Sequence, residues 1–194
     1  SEQLQQAYAF LAAESERLER LIVALLDFGQ IEAGRARYRL EGTEATNLVR
    51  DVVEAFERTV SSEGYRVELA LPASPCGIRA DREALGRALW NLLDNAAKYS
   101  PANRTIWVDV KPDEDRLSIS VRDRGVGIPD DEQKAIFGKF VRGTHSRESG
   151  VKGTGLGLAI VQHVVAAHGG EVRLESAPGE GSRFTLRIPL ERGS

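Results

Sequence analysis

Two pairs of alternating segments follow one another closely in this chain. "RTIWVDV" (Arg104–Val110) and "RLSISVRD" (Arg116–Asp123) are separated by the turn-rich "KPDED". "EVRLES" (Glu171–Ser176) and "SRFTLRIPL" (Ser182–Leu190) flank the turn "APGEG". Alternation with period two marks half-buried strands, and connections this short join neighbouring antiparallel strands. Helical periodicity fills most of the remaining chain. One helix is predicted over roughly Thr46–Ser61, with Val49, Val52, Val53, Phe56 and Val60 on one side. A second covers Arg82–Tyr99, and a third Leu156–His168, stopped by Gly169–Gly170. Tyr65–Leu71 and "GIRAD" read as further strands, and only a short helical pattern around Asp131–Phe137 interrupts Gly125–Gly155. Adjacent strand pairs among helices predict an α+β fold, a two-layer α/β sandwich whose mixed sheet carries helices on one face.

The first thirty residues read differently. Leu4, Leu11, Leu18 and Leu25 recur every seventh position, with Ala7, Leu21 and Phe28 offset by three, which is a heptad seam interrupted by Glu14. Such a long amphipathic helix either lies on its own domain or pairs with other helices in a bundle. The charges of "ESERLERLI" favour the bundle, because they leave no second apolar face to dock inward. Gly34 ends the helix, "RARYRLEG" reads as a short strand, and Ala33–Leu40 is the expected hinge. The expected organisation is residues 1–34 as one unit and 35–194 as the second.

Composition excludes several classes. With 194 residues the chain can bury a core without staples. A single cysteine, Cys76, forms no internal bridge, and three scattered histidines have no metal-ligand spacing. Both point to a reducing compartment. The net charge of −3 and the lack of a basic block with interleaved aromatics argue against nucleic acid as a partner. "LIVALL" (Leu21–Leu26) is too short to span a bilayer, so no direct membrane contact is expected. The opening at Ser1 and the closing "RGS" suggest an excised piece.

Three elements carry chemistry. In the helix Arg82–Tyr99 the stripe Leu85, Leu89, Leu92, Ala96 belongs to the core, whereas Asn91, Asn95 and Lys98 line another side. Amide oxygens are hard, neutral ligands for a Mg²⁺ that keeps phosphate and water, and a lysine suits phosphate charge; asparagines at this spacing also serve as caps or solvated side chains. "DRGVGIP" (Asp123–Pro129) sets a carboxylate beside a glycine backbone that lets a flat ligand approach; it is also ordinary turn chemistry. "KGTGLGLAIV" (Lys152–Val161) brings Lys152, Gly153, Thr154, Gly155, Leu156 and Gly157 into a helix start, where N–H groups can meet phosphate oxygens. A flexible hinge is the plain alternative. The spacing fits neither a dinucleotide fingerprint nor a P-loop.

Taken in order, these elements resemble the boxes of the histidine protein kinases of two-component signalling, within the Bergerat-fold ATPases. "NLLDNAAKYS" resembles their N box, "DRGVGIP" the first glycine box, "IFGKFVR" (Ile136–Arg142) the F box and "GTGLGLAI" the second glycine box. "ESERLERLIVALLDFGQIEAG" is similar to the second helix of their dimerisation and phosphotransfer hairpin. The resemblance implies ATP and Mg²⁺ as ligands. Asn95 with Asn91 would hold the metal, and Lys98 would reach the phosphates. Tyr99 would pack beside adenine, Asp123 would accept from its N6 amine, and Gly125 and Gly127 would admit the base. Gly153, Gly155 and Gly157 would wrap the phosphates. Ile128 to Lys152 would form the ATP lid, tacked down by Phe137 and Phe140, with Arg142 as a phosphate contact. In hydrolysing relatives a glutamate base stands where this chain has Asn91, which biases the site toward holding ATP for another acceptor.

The family's acceptor histidine motif is missing. His145, His163 and His168 stand in no such context and are expected to be structural or solvated. The resemblance therefore implies a cytoplasmic kinase core unable to phosphorylate itself. Its partners would be the acceptor-histidine helix, a response regulator receiver domain and, in the full-length protein, a second copy in a homodimer. A nucleotide-binding regulatory module, an ATP-driven clamp of the same superfamily and a serine-kinase anti-sigma factor are the competing readings.

Overall fold

The computed structural model describes residues 2–144 and 153–191, and divides into two units, 1–37 and 38–194. The first contains helix α1 (Glu2–Glu32). It ends in a Schellman motif: Gly34 is left-handed at φ 63°, its N–H donates to the Ile31 carbonyl, and the Arg35 N–H reaches back to Gln30. The seam residues Leu4, Leu11, Leu18 and Leu25 are each more than half exposed.

The second unit runs β1 (Glu41–Glu44), α2 (Ala45–Val60), β2 (Arg66–Ala70), β3 (Gly77–Ala80), α3 (Arg82–Tyr99), β4 (Thr105–Asp113), β5 (Arg116–Arg122), α4 (Gly157–Ala167), β6 (Glu171–Ala177) and β7 (Gly181–Pro189). Five strands form a sheet in the order β2-β4-β5-β7-β6, and β1 pairs with β3 in a separate ribbon. The β2–β4 pair is parallel and the other pairs of the large sheet are antiparallel, so the sheet is mixed as expected.

One face of that sheet is apolar. Ile106, Val108 and Val110 of β4, Leu117, Ile119 and Val121 of β5, and Leu186 and Ile188 of β7 are buried. They meet Leu48, Val53 and Phe56 of α2, Leu85, Leu89 and Leu92 of α3, and Ile160 and Val164 of α4 in one core. The alternate residues, among them Trp107, Asp109, Arg122, Thr185 and Arg187, occupy the opposite face.

Three local expectations are corrected, one of them the turn "KPDED", whose Lys111–Asp113 continue β4. No strand forms over Arg35–Leu40, and pairing begins only at Glu41. The ribbon partner β3 is four residues long, and the Arg39 N–H instead donates to the Asp81 carboxylate at 3.0 Å. Around Asp131–Phe137 only a 3₁₀ turn, Ala135–Phe137, forms.

Helix ends are satisfied locally. Asp81 caps α3 by accepting from Ala84 N–H (2.9 Å). Glu44 caps α2, accepting from the N–H groups of Thr46 (2.9 Å) and Asn47 (2.8 Å). Burial pushes the Glu44 carboxyl up, but the Thr46 hydroxyl and the N–H groups of Thr46, Asn47 and Cys76 outweigh it and bring it down to about 2. His168 is buried. Its Nε2 accepts from Asp81 N–H at 2.9 Å and its Nδ1 lies 2.7 Å from the Val164 carbonyl, so its role is structural.

Candidate functional site

The site begins at the end of β5. The Asp123 N–H continues the strand ladder to the Ser182 carbonyl (2.9 Å), and its Oδ1 accepts from Gly125 N–H (2.7 Å). The chain then turns against the end of α3: Val126 N–H donates to the Tyr99 carbonyl at 3.1 Å. A Cβ on Gly125 would lie 2.1 Å from that carbonyl oxygen. Gly127, at φ 69°, is pressed just as closely onto β6, where a Cβ would lie 1.9 Å from the Ala177 carbonyl. Both glycines are thus demanded by the protein's own backbone, and they seat the Asp123 turn between α3 and β6.

That seating creates a cleft. Asn95 and Tyr99 of α3 line it together with Asp123, Gly127 and Ile128, and Leu158 of α4 and Phe184 of β7 close it. Asp123 is 6% exposed. Burial pushes its carboxyl above the ordinary range, against the opposing pull of the Gly125 and Ser182 N–H groups. A desolvated carboxylate in a mostly apolar cleft is an acceptor suited to a flat ligand bearing an N–H donor.

The polar line on α3 leads from this cleft toward α4. A Cβ on Gly157 would stand 3.6 Å from Asn91 Oδ1, so the first turn of α4 lies against Asn91. The residue before α4, Leu156, supplies no side-chain cap, which leaves N–H groups of the first turn available to an anion. Its own N–H donates to Thr154 Oγ1 at 3.3 Å. Gly155, at φ 71°, packs on the Phe140–Val141 backbone, where a Cβ would be 2.8 Å from the Val141 carbonyl. Gly153 stands in open space.

Asn95, Tyr99, Asp123, Gly127 and Ile128 are therefore gathered in one cleft, with Asn91 and Gly157 facing each other beside it. Lys98 is exposed and pairs with Asp94 one helical turn earlier. Arg142 is half-buried just before Gly143, which lines the cleft. Lys152 and His145 lie outside the described residues. In the segment after Asp123, Phe137 stacks edge-on against Phe184 (6.2 Å), and Phe140 is 62% exposed with φ 58°. Glu132 accepts from the N–H and hydroxyl of Thr144, fastening the start of the glycine-rich segment.

Ser182, Phe184 and Glu132, which belong to none of the sequence motifs, also line the cleft, as does Ile136 at the start of "IFGKFVR". Strand register could have found the first two. Val121 pairs with Phe184, so Ser182 must fall opposite Asp123.

This architecture defines a small-molecule-binding α+β domain with an acceptor carboxylate at one end and an anion-ready helix start at the other. Comparison with known proteins makes the class specific. Residues 80–192 match the family described as histidine kinase-, DNA gyrase B-, and HSP90-like ATPase. The sensor-like histidine kinase SenX3 of Mycolicibacterium smegmatis is 35% identical over 92% of this chain and 46% of its own length. For the sensor histidine kinase WalK of Bacillus subtilis the values are 33%, 92% and 29%. Among solved structures, a mycobacterial sensor histidine kinase, MprB, is 31% identical over 78% of this chain and 98% of its own, with TM-score 0.64. Full-length ShkA in complex with AMPPNP is 28% identical over 92% and 37%, with TM-score 0.79. The chain belongs to the histidine kinase-, DNA gyrase B- and HSP90-like ATPases, as an ATP-binding catalytic domain of the sensor histidine kinase type. It spans less than half the length of these two curated relatives. No described helix is long and apolar enough to cross a membrane.

Proposed function

We infer that this chain is the kinase core of a cytoplasmic sensor histidine kinase, which positions ATP for transfer of its γ-phosphoryl group to a histidine on a separate helix. The observation that carries the reading is the meeting of a buried carboxylate, Asp123, with Asn95 and Tyr99 in one cleft beside the uncapped start of α4. Asp123 accepts the adenine N6 amine and Tyr99 packs beside the ring. The N–H groups from Gly153 to Gly157 meet phosphate oxygens, and Lys98 and Arg142 add positive charge, Lys98 by leaving Asp94. Gly125 and Gly127 contribute by holding the Asp123 turn.

The residues present suit a metal-bound triphosphate. Asn95 and Asn91 offer neutral amide oxygens, which fit a Mg²⁺ that keeps phosphate and water as its other ligands. When bound, the metal neutralises charge on the phosphates. Asn91 has no basicity with which to activate water, so the residues around the phosphates favour alignment with an external acceptor over hydrolysis. The segment between Ile128 and Lys152 covers the nucleotide as a lid, with Phe137 on Phe184 and Thr144 on Glu132 fixing its near end.

Helix α1 supplies the second half of a helical hairpin that pairs through its heptad face, in the full-length protein with a second copy. The acceptor helix and the receiver domain of a response regulator complete the phosphorelay. The test is to mix the chain with ATP, Mg²⁺ and a separately produced acceptor-helix domain. Acid-labile phosphate should appear on the acceptor and none on this chain. Steady release of inorganic phosphate without transfer would contradict the reading and favour an ATP-driven clamp.

A further inference from the structure

The face of the large sheet turned away from α2, α3 and α4 has its own chemistry. One row crosses it in register: Glu68 of β2, Trp107 of β4, Arg122 of β5, Arg183 of β7 and Glu175 of β6. Arg122 and Arg183 stand directly opposite each other, an arrangement of like charges that weakens a strand pair. Arg124, one residue beyond Asp123, adds a third cation. The guanidinium carbons of Arg122 and Arg124 lie 4.5 and 5.1 Å from the Trp107 ring centroid. The indole is itself held, because its Nε1–H donates to Glu68 Oε2 at 2.8 Å.

The surrounding face is paired. Arg187 bridges to Glu171 and Asp113, and Arg173 to Glu171. Among the described residues, none of Arg122, Arg124 and Arg183 makes an ion pair. Arg122 Nε is enclosed without a hydrogen-bond partner, the kind of unmet donor that folded proteins seldom keep. A cluster that repels itself, leaves a donor unmet and braces an indole against two guanidinium planes is organised for an external acceptor.

We propose that this row is a docking site for carboxylate side chains of an acidic segment on a partner protein, read by Arg122, Arg124 and Arg183 around Trp107. The charge layout selects that occupant. Glu68 bounds the cluster on one side and Glu175, with Glu180 of the β6–β7 turn, on the other. The positive zone is therefore about two strand spacings wide, roughly 10 Å. That width suits one or two discrete carboxylates, and its acidic borders repel a continuous polyphosphate backbone or an anionic membrane. Arginine and tryptophan are also the side chains that most often dominate protein–protein interfaces. The site is on the other side of the sheet from the nucleotide cleft, and its failure would leave that reading untouched.

The test titrates the chain with a hexaglutamate peptide and follows the Trp107 indole N–H by NMR, assigned with Trp107→Phe. Phosphatidylserine vesicles and a thymidine oligonucleotide are run in parallel. Saturable movement of the Trp107 signal with an unmoved Trp90 signal is expected, weakening at higher salt. The triple variant Arg122→Gln/Arg124→Gln/Arg183→Gln should lose at least about tenfold in affinity. The exposed single reversal Arg124→Glu, which leaves the sheet intact, should lose a similar factor. An unmoved Trp107 signal, equal binding by Arg124→Glu, or stronger binding of vesicles or oligonucleotide than of peptide would each overturn the proposal.

Discussion

Arg122 and Asp123 are consecutive residues on the same sheet, yet they live in opposite electrostatic worlds. Asp123 is buried in a cleft walled by helices, where desolvation lifts its carboxyl and two backbone N–H groups hold it in place. Arg122 lies on the face turned away from α2, α3 and α4, where its guanidinium carbon sits 4.5 Å from the Trp107 ring centroid. The difference comes from what covers each face. Packing of α3 and α4 on the inner face excludes water, so a single charge there is costly and must answer to a ligand or to fixed donors. On the outer face most charges meet water, although Arg122 Nε is enclosed, so recognition there requires several cations held together. One sheet thereby separates a solitary, precisely seated acceptor from a clustered, screened donor patch.

The inner site is most easily destroyed at the glycines that seat Asp123. Gly127→Ala forces a Cβ to within 1.9 Å of the Ala177 carbonyl at a left-handed φ. Overpacking and strain together should cost about 3 kcal/mol or more, visible as a large fall in the denaturation midpoint. Survival of the fold with an unshifted midpoint would mean that the turn is not pinned between α3 and β6. Next in size, Asn95→Ala should weaken ATP binding by about 1–3 kcal/mol in the presence of Mg²⁺ and much less in the presence of a chelator. Equal losses under both conditions would remove Asn95 from the metal's neighbourhood.

Smaller effects sharpen the contrast. Glu44 caps α2 away from both sites, and its carboxyl is held at about 2. Its contribution is therefore complete above the ordinary carboxylate pKa and fades as pH falls toward 2. Glu44→Gln should cost about 1 kcal/mol at neutral pH and almost nothing in strong acid, as read by urea melts across pH. Asp123 has the opposite sign. Its raised carboxyl means that its ionised form burdens the nucleotide-free fold, so Asp123→Asn should melt no lower than the wild type at neutral pH without ligand. At the outer face, Arg124→Gln should change stability by no more than about 0.5 kcal/mol in thermal melts.

The legible parts of the sequence were those where one segment's pattern determines its own environment. Alternation in "RTIWVDV" and "RLSISVRD" placed Ile106, Val108, Leu117 and Ile119 in the core, and the Leu85–Ala96 stripe marked α3 to the residue. Residues whose place depends on a distant partner were less legible. Residues 35–40 have strand-like composition but no long partner, because β3 is short and Asp81 captures the Arg39 N–H. β4 runs on through Lys111–Asp113, residues read as turn, because β5 pairs with them. Phe140 has the apolar character of a core residue but is 62% exposed at φ 58°, with its backbone against Gly155. Asn95 and Asp123, singled out by their motifs taken in order, both line the cleft. Ser182 and Phe184 enter it only through the β5–β7 register.

The claim on which the rest depends is that Asp123 accepts a hydrogen bond from adenine in this cleft. Calorimetric titration of the chain and of Asp123→Asn with ATP and Mg²⁺, repeated as pH is lowered, tests it directly. Substitution should cost about 1–3 kcal/mol, roughly 5- to 150-fold in affinity. Wild-type binding should also weaken more steeply than the variant's as the carboxyl protonates. Equal affinities of the two proteins at neutral pH, with parallel pH profiles, would contradict it.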